Sequence, residues 1–270
     1  MAKIKYEMKK KWLKNLFVIS TTVTVVAFWL ISAVLFVDSR ANESVVCRDS
    51  GIGVVKMHGV FDLVDDPTRQ TVVADQVIAK IAEHDSNPAI KVILLDVYST
   101  GGVMTAGDEV RQVVASTSKP VIAVVREEAL SAGYLAVVSA DEIYAGKYSL
   151  VGSIGISGSY VSEENKNQAE GITFVEIASA PHKDMLNPNR PMSAKEQLQM
   201  QGLVDQNHNL FVQAIAEHRE LTSDEVEVIA DGSIYSAVQA KELGLVDEIG
   251  SKQDVIFEQG YDWPRSIACR

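Results

Sequence analysis

Between residues 53 and 125, apolar runs of strand length alternate with segments of helical periodicity, and this alternation restricts the fold more than any other feature. Residues 53–57, 92–97 and 121–125 read as strands, whereas 72–81 and 110–115 fall between them with helical spacing. A β-α-β-α-β order predicts a largely parallel sheet, because parallel neighbours need a long crossover and a helix supplies it. Further on, 131–140 reads as a buried helix, 142–145 as a short strand and 173–177 as another strand. Ser193 with Glu196 three residues later forms a capping-box signal for a long helix to about residue 219, and Thr222 with Glu225 forms a second.

The N-terminus carries a different signal. Residues 16–37 contain no charge and only five polar side chains, all Ser or Thr, and 22 such residues suffice to cross a bilayer. Lys3, Lys5, Lys9, Lys10, Lys11 and Lys14 precede the run against the single acid Glu7, a flank that stays in the cytoplasm. A cleaved signal peptide would have a shorter apolar core and a small-x-small site just after Val37, which the sequence does not offer. The expected layout is therefore a basic cytoplasmic tail over 1–15, a transmembrane anchor over 16–37, a polar linker over 38–50 and one α/β domain over 51–270. The anchor would hold that domain on the outer face of the cytoplasmic membrane.

Charge and cysteine usage narrow the classes further. Residues 1–37 carry a net charge of +5, so the rest of the chain carries −16, which argues against nucleic acid as a partner. Cys47 and Cys269 stand near the two ends of the outer domain; an oxidising compartment permits a disulfide between them, but spacing alone does not establish one. No His, Cys and Asp cluster has ligand spacing, so neither a metal nor an organic cofactor is expected.

Two glycine-containing turns and a lysine hold the candidate chemistry. Tyr98-Ser99-Thr100-Gly101-Gly102 follows a strand and exposes backbone amides where a ligand can approach closely, as an oxyanion hole requires; a plain turn is the ordinary reading of such a pair. Ser131 stands at the start of an apolar helix, where a serine is usually a helix cap. Its place one βα unit after the glycine turn sets both at the same sheet edge and makes it a candidate nucleophile. A serine hydroxyl needs a base, yet none of His58, His84, His182, His208 and His218 combines a neighbouring acid with a loop. Lys183 does lie in a loop, and a lysine can act as a base where its surroundings favour the neutral amine; otherwise it is a solvated loop residue. Ser153 could orient that amine or be an ordinary turn serine.

Taken together, the segments resemble the signal peptide peptidase A family of serine-lysine proteases, which have a Clp/crotonase-like α/β sheet with flanking helices. The resemblance runs from Gly51 to about Lys252 through residues 98–102, 130–134, 140–145, 152–155, 182–184 and 230–235, in the family's order. It implies that Ser131 attacks the peptide carbonyl, Lys183 takes its proton and Ser153 orients Lys183. Gly102 or Gly101, with the amide of Ala132, would bind the oxyanion. It further implies a homo-oligomer, with the pair drawn from one subunit or two, acting on released signal peptides or other apolar, unfolded peptides. Thr100 stands where the family usually has Pro, and Ala132 where it has a second Gly. A Clp-type protease would need a histidine between Ser131 and His182, and there is none. A crotonase-type enzyme would meet little acyl-CoA outside the cell. The remaining alternative is a catalytically silent membrane-anchored scaffold or binding protein of the same fold.

Overall fold

The computed structural model describes residues 51–258, so the expected tail, anchor and linker, and both cysteines, lie outside the described residues. Among the described residues, no helix is long and apolar enough to cross a membrane. The chain enters as β1 (Ile52–His58), makes a small two-stranded parallel sheet from β2 (Val60–Asp62) and β3 (Thr71–Val73), and turns directly into α1 (Ala74–Ser86). Two further units follow, β4 (Val92–Ser99) with α2 (Met104–Ser116), and β5 (Val121–Leu130) with the short α3 (Ala132–Leu135). Then come β6 (Glu142–Ala145), β7 (Leu150–Gly152), α4 (Glu164–Ala169), α5 (Ala194–His218), α6 (Ser223–Ile229), β8 (Ile234–Ser236), α7 (Ala237–Glu242), β9 (Glu248–Ile249) and α8 (Lys252–Glu258).

The main sheet runs β1-β4-β5-β6-β9 with every pair parallel, as the alternating pattern predicts. The central strands are buried on both faces, which explains why they read as continuous apolar runs rather than as alternating ones. One face, with Val55, Leu95, Val97 and Ala123, packs into the large core shared with Phe211 and Ile215 of α5. The opposite face, with Ile52, Leu94, Ile122 and Val124, is covered by Val255 and Ile256 of α8.

β5 is the longest strand and changes partner along its length. Ile122–Val125 pairs with β6, whereas Glu128–Leu130 pairs with β7, which in turn takes β8 antiparallel. The register with β4 also shifts between Val97 and Ser99, so the strand ends at an offset that brings Ser99 beside Ala129.

Two expected elements differ in the structure. Only Ala132–Leu135 of the expected 131–140 helix is α-helical; the chain then tightens, with the amides of Val137, Val138 and Ala140 bonding carbonyls three residues back, and stays buried. Residues 173–177 form no strand. Phe174, Val175 and Ile177 are exposed, and no sheet edge reaches that backbone to pair its amides. Both capping boxes form as read, Ser193 with Glu196 on α5 and Thr222 with Glu225 on α6; Ser236 with Gln239 makes a third on α7.

Asp96 is a charge in the middle of β4, and its side chain is buried. Lys252 of α8 donates to it at 2.8 Å, His58 lies at 3.1 Å and Arg126 at 3.3 Å. Burial alone would push the Asp96 carboxyl up, but the hydrogen bonds from His58 and Lys252 outweigh it and hold it far below the usual carboxylate range. A group depressed in this way stabilises the fold above its unfolded value and loses that contribution as pH falls below about 4. Lys252→Met, which strands the buried carboxylate and loosens α8, is expected to cost about 3 kcal/mol in urea denaturation at pH 7. The difference from the parent should shrink as the pH is lowered through the acid range.

Candidate active site

The site begins with the backbone of Ser131. At the end of β5 its φ is 51° and ψ −125°, a conformation that side-chain-bearing residues avoid and that costs about 1–3 kcal/mol. Three backbone bonds hold it there: its amide donates to the Gly152 carbonyl at 2.9 Å, and its carbonyl accepts from Tyr134 and Leu135 at 3.0 Å each. The serine is thus wedged between the end of the β5–β7 ladder and the first turn of α3. Its Oγ lies 4.0 Å from Met104 Sδ at the start of α2.

The glycine turn packs against this serine. A Cβ placed on Gly101 would sit 2.8 Å from the Ser131 Cβ and 3.0 Å from the Leu130 carbonyl; one on Gly102 would sit 2.2 Å from the Phe61 carbonyl. Both glycines have positive φ, 107° and 143°. The Gly101 amide is committed to Ser99 Oγ at 3.2 Å. Phe61 donates to the Gly101 carbonyl and accepts from the Val103 amide, a parallel bridge that turns the Gly102 amide away from β2. Of the two glycines read from the sequence, Gly102 therefore has the available amide. Ala132 supplies the other, as the first donor of α3. Gly107 and Gly133 let the layers meet, with α2 against the Ala132 carbonyl and α3 against Ser99.

Ser153 arrives by the same ladder. It follows Gly152, which pairs with Leu130, and it too has positive φ, 51°, held by a 2.7 Å bond from its amide to the Ser233 carbonyl. Ser131 and Ser153 line one open cleft of about 460 Å³, together with Ile156, Asp205, His208 and Asp231. Hydrogen bonds from the hydroxyl and amide of Ser233 lower the pKa of the Asp231 carboxyl. A second cleft of about 410 Å³ lies across Ile156, with Met104, Leu135, Leu210 and Phe211 in its wall.

Lys183 is placed elsewhere. It sits in a tight turn over 181–186, is exposed, and is absent from the lining of the serine cleft within a single chain. The structure therefore sets the glycine turn and Ala132 beside Ser131 and puts Ser153 in the same cleft, whereas Lys183 is not among the residues that line that cleft within one chain. Sequence reading missed Ser99, which braces the glycine turn; a serine two residues before a turn amide was the available signal. It also passed over His208 as a base and gave Asp205 and Asp231 no role; α5 and the turn before β8 bring all three from about 75 or more residues beyond Ser131 in the chain. Among the described residues no group of His, Cys, Asp and Glu is arranged to hold a metal ion.

A serine on a strained strand-to-helix turn, facing a glycine turn with a free amide, defines a candidate serine-hydrolase centre on a mostly parallel α/β sheet. The chain belongs to peptidase family S49, whose model matches residues 114–260 and so includes Ser131, Ser153 and Lys183. It is thereby a serine-type protease by family, of the signal peptide peptidase A kind. A protein of Methanocaldococcus jannaschii assigned as protease MJ0651 is 30% identical over 90% of this chain and 81% of its own length. An Enterococcus faecium protein assigned as signal peptide peptidase SppA is 28% identical, over 81% of this chain and 64% of its own. Protease 4 of Salmonella typhi is 29% identical over 76% of this chain, which spans only 33% of that longer protein.

Two substitutions separate strain from chemistry. Ser131→Gly removes the hydroxyl and the backbone penalty together, so it is expected to abolish peptide cleavage while stabilising the fold by about 1 kcal/mol in thermal or urea unfolding. Gly101→Ala has the opposite character: its methyl meets the Ser131 Cβ and its φ is unfavourable. It should lose about 2 kcal/mol of stability and most of the activity.

Proposed function

We propose that this chain is a membrane-anchored serine endopeptidase in which Ser131 is the nucleophile and Lys183 the general base. The observation that carries the reading is the strained backbone of Ser131, held with its side chain between the glycine turn and the cleft that contains Ser153. In this mechanism Ser131 Oγ attacks the peptide carbonyl carbon while Lys183 Nζ takes the hydroxyl proton. The amides of Gly102 and Ala132 bind the developing oxyanion, each contributing on the order of 3 kcal/mol to lowering the barrier. Collapse breaks the peptide C–N bond, and the ammonium returns its proton to the leaving amine. Water, deprotonated by the same lysine, then hydrolyses the acyl-enzyme. Ser153 accepts or donates a hydrogen bond at the amine and orients it.

Because Lys183 is exposed and lies outside the cleft of its own chain, the reading includes assembly: the amine enters the serine cleft from a neighbouring copy in a homo-oligomer. Residues 16–37 serve as the single-pass anchor, and the substrates are released signal peptides or other apolar, unfolded peptides at the outer face of the cytoplasmic membrane. The absence of Lys183 from the lining of its own chain's cleft also favours a second reading, a catalytically silent anchored scaffold.

Cleavage of casein and of a detergent-solubilised signal peptide by the full-length chain in micelles separates the two. The parent should cut, and Ser131→Ala and Lys183→Ala should each fall by about a thousandfold or more. Mixing the two inactive variants should restore a fraction of parent activity, since some sites then combine an intact serine with an intact lysine. An inert parent, or a Lys183→Ala variant as active as the parent, would sink the proposed mechanism.

A further inference from the structure

The segment that bears Lys183 has little apolar packing to hold it. Phe174, Val175, Ile177 and Leu186 along it are exposed, so its position depends on polar contacts. The turn over 181–186 closes on itself through the Lys183 amide to the Ala180 carbonyl and the Asn187 amide to the Asp184 carbonyl. Asn167 of α4 reaches this turn through Asn189 and Asn187, and the side chain of Arg190 ties it to α5.

Arg190 grips both sides at once. Its Nη2 donates to the Asp184 carbonyl at 2.9 Å and its Nε to Asp184 Oδ2 at 3.3 Å, beside the Asn187 side-chain Nδ2, which donates to the same oxygen at 2.8 Å. From the same guanidinium, Nη1 and Nη2 reach the two carboxylate oxygens of Glu196 at 2.9 and 2.7 Å. Glu196 is itself buried and locked, because its Oε2 also accepts from the Ser193 amide and hydroxyl in the capping box of α5. Glu176 adds a third carboxylate at 3.2 Å from Nε. The Arg190 carbonyl accepts from Tyr160, whose hydroxyl also donates to the Asn187 carbonyl. A continuous chain of charge-assisted bonds thus leads from the residue next to Lys183 to the N-terminus of the 25-residue α5, which lines the serine cleft with Val204, Asp205 and His208.

We infer that Arg190 is a positioning residue for the reaction: it fixes the height and orientation of the Lys183 turn relative to α5 of its own chain, and so the place from which the amine projects into the neighbouring copy's serine cleft. The inference rests on Lys183 being the base. Only a planar fork with several donors can hold Glu196 with two bonds and Asp184 with two more; a lysine ammonium would satisfy part of that set. Ångström-scale displacement of a catalytic group costs about a hundredfold in rate, and it does so without changing the surface that binds substrate.

The test uses the full-length chain in detergent micelles with a fluorogenic peptide, measuring kcat and KM separately, with sedimentation and thermal unfolding as controls. Arg190→Gln is expected to lower kcat by about tenfold to a hundredfold at nearly constant KM. Arg190→Lys should recover part of that loss, and Glu196→Gln, which keeps the capping acceptor and removes the charge, should fall in the same direction by less. Should Arg190→Gln not fold, the Lys and Glu196 variants decide by the same kcat criterion. Unchanged kcat in folded, assembled variants overturns the inference, as does a change confined to KM or a loss explained by altered oligomer mass. Lys183→Ala is run alongside: if it retains activity, the base assignment has failed, which is a different result from an Arg190 variant that stays active beside an inert Lys183→Ala.

Discussion

The site depends on one parallel strand serving two neighbours. β5 spends its first half against β6 and its last three residues against β7, and the divergence occurs where a continuous ladder would otherwise have carried the strand past the core. The Gly152 carbonyl at the end of that second ladder takes the Ser131 amide, and the residue after Gly152 is Ser153. Two serines 22 positions apart in the chain thereby stand at one cleft. Moving that ladder by one residue would exchange the faces of both strand ends and dissolve the arrangement.

The strain at Ser131 follows from the same constraint. A residue with a side chain holds φ 51° only if its surroundings over-determine it, and here a ladder bond, a helix start and a glycine turn without Cβ atoms do so together. The cost is local and small beside the burial behind it, since α3 is wholly enclosed and Tyr134 bonds the Leu245 carbonyl at 2.8 Å from within the core. A hydroxyl at such a turn is presented outward without needing a long or flexible side chain. The cluster around Asp96 works on the opposite face of the sheet, where it secures α8 and closes the second core.

Polar anchoring replaces apolar packing in the segment that carries Lys183. Its exposed Phe174, Val175 and Ile177 contribute nothing to a core in this chain, which is why their strand-like composition produced no strand. β-propensity describes a side chain that suits a half-buried pleated surface, and without a sheet edge to join it has no structural consequence. Arg190, with three carboxylates about it, supplies the order that burial does not.

Much of this was legible in the sequence because it is local. The alternating runs determined a parallel α/β sheet, Ser193 with Glu196 determined where α5 begins, and the serine and glycine turns were visible as breaks in periodicity placed just after strands. Family membership, too, was written in short motifs in a fixed order. What only the tertiary structure decided depends on contacts remote in the chain: that Gly102 rather than Gly101 has a free amide, because Ser99 and Phe61 occupy its neighbours; that Asp96 is charged yet buried, because Lys252 returns 156 residues later to meet it; and that Lys183 does not line the serine cleft of its own chain. Periodicity records which side of an element faces apolar surroundings. It does not record which distant groups complete a polar site, since that is set by register, handedness and packing once the layers have closed.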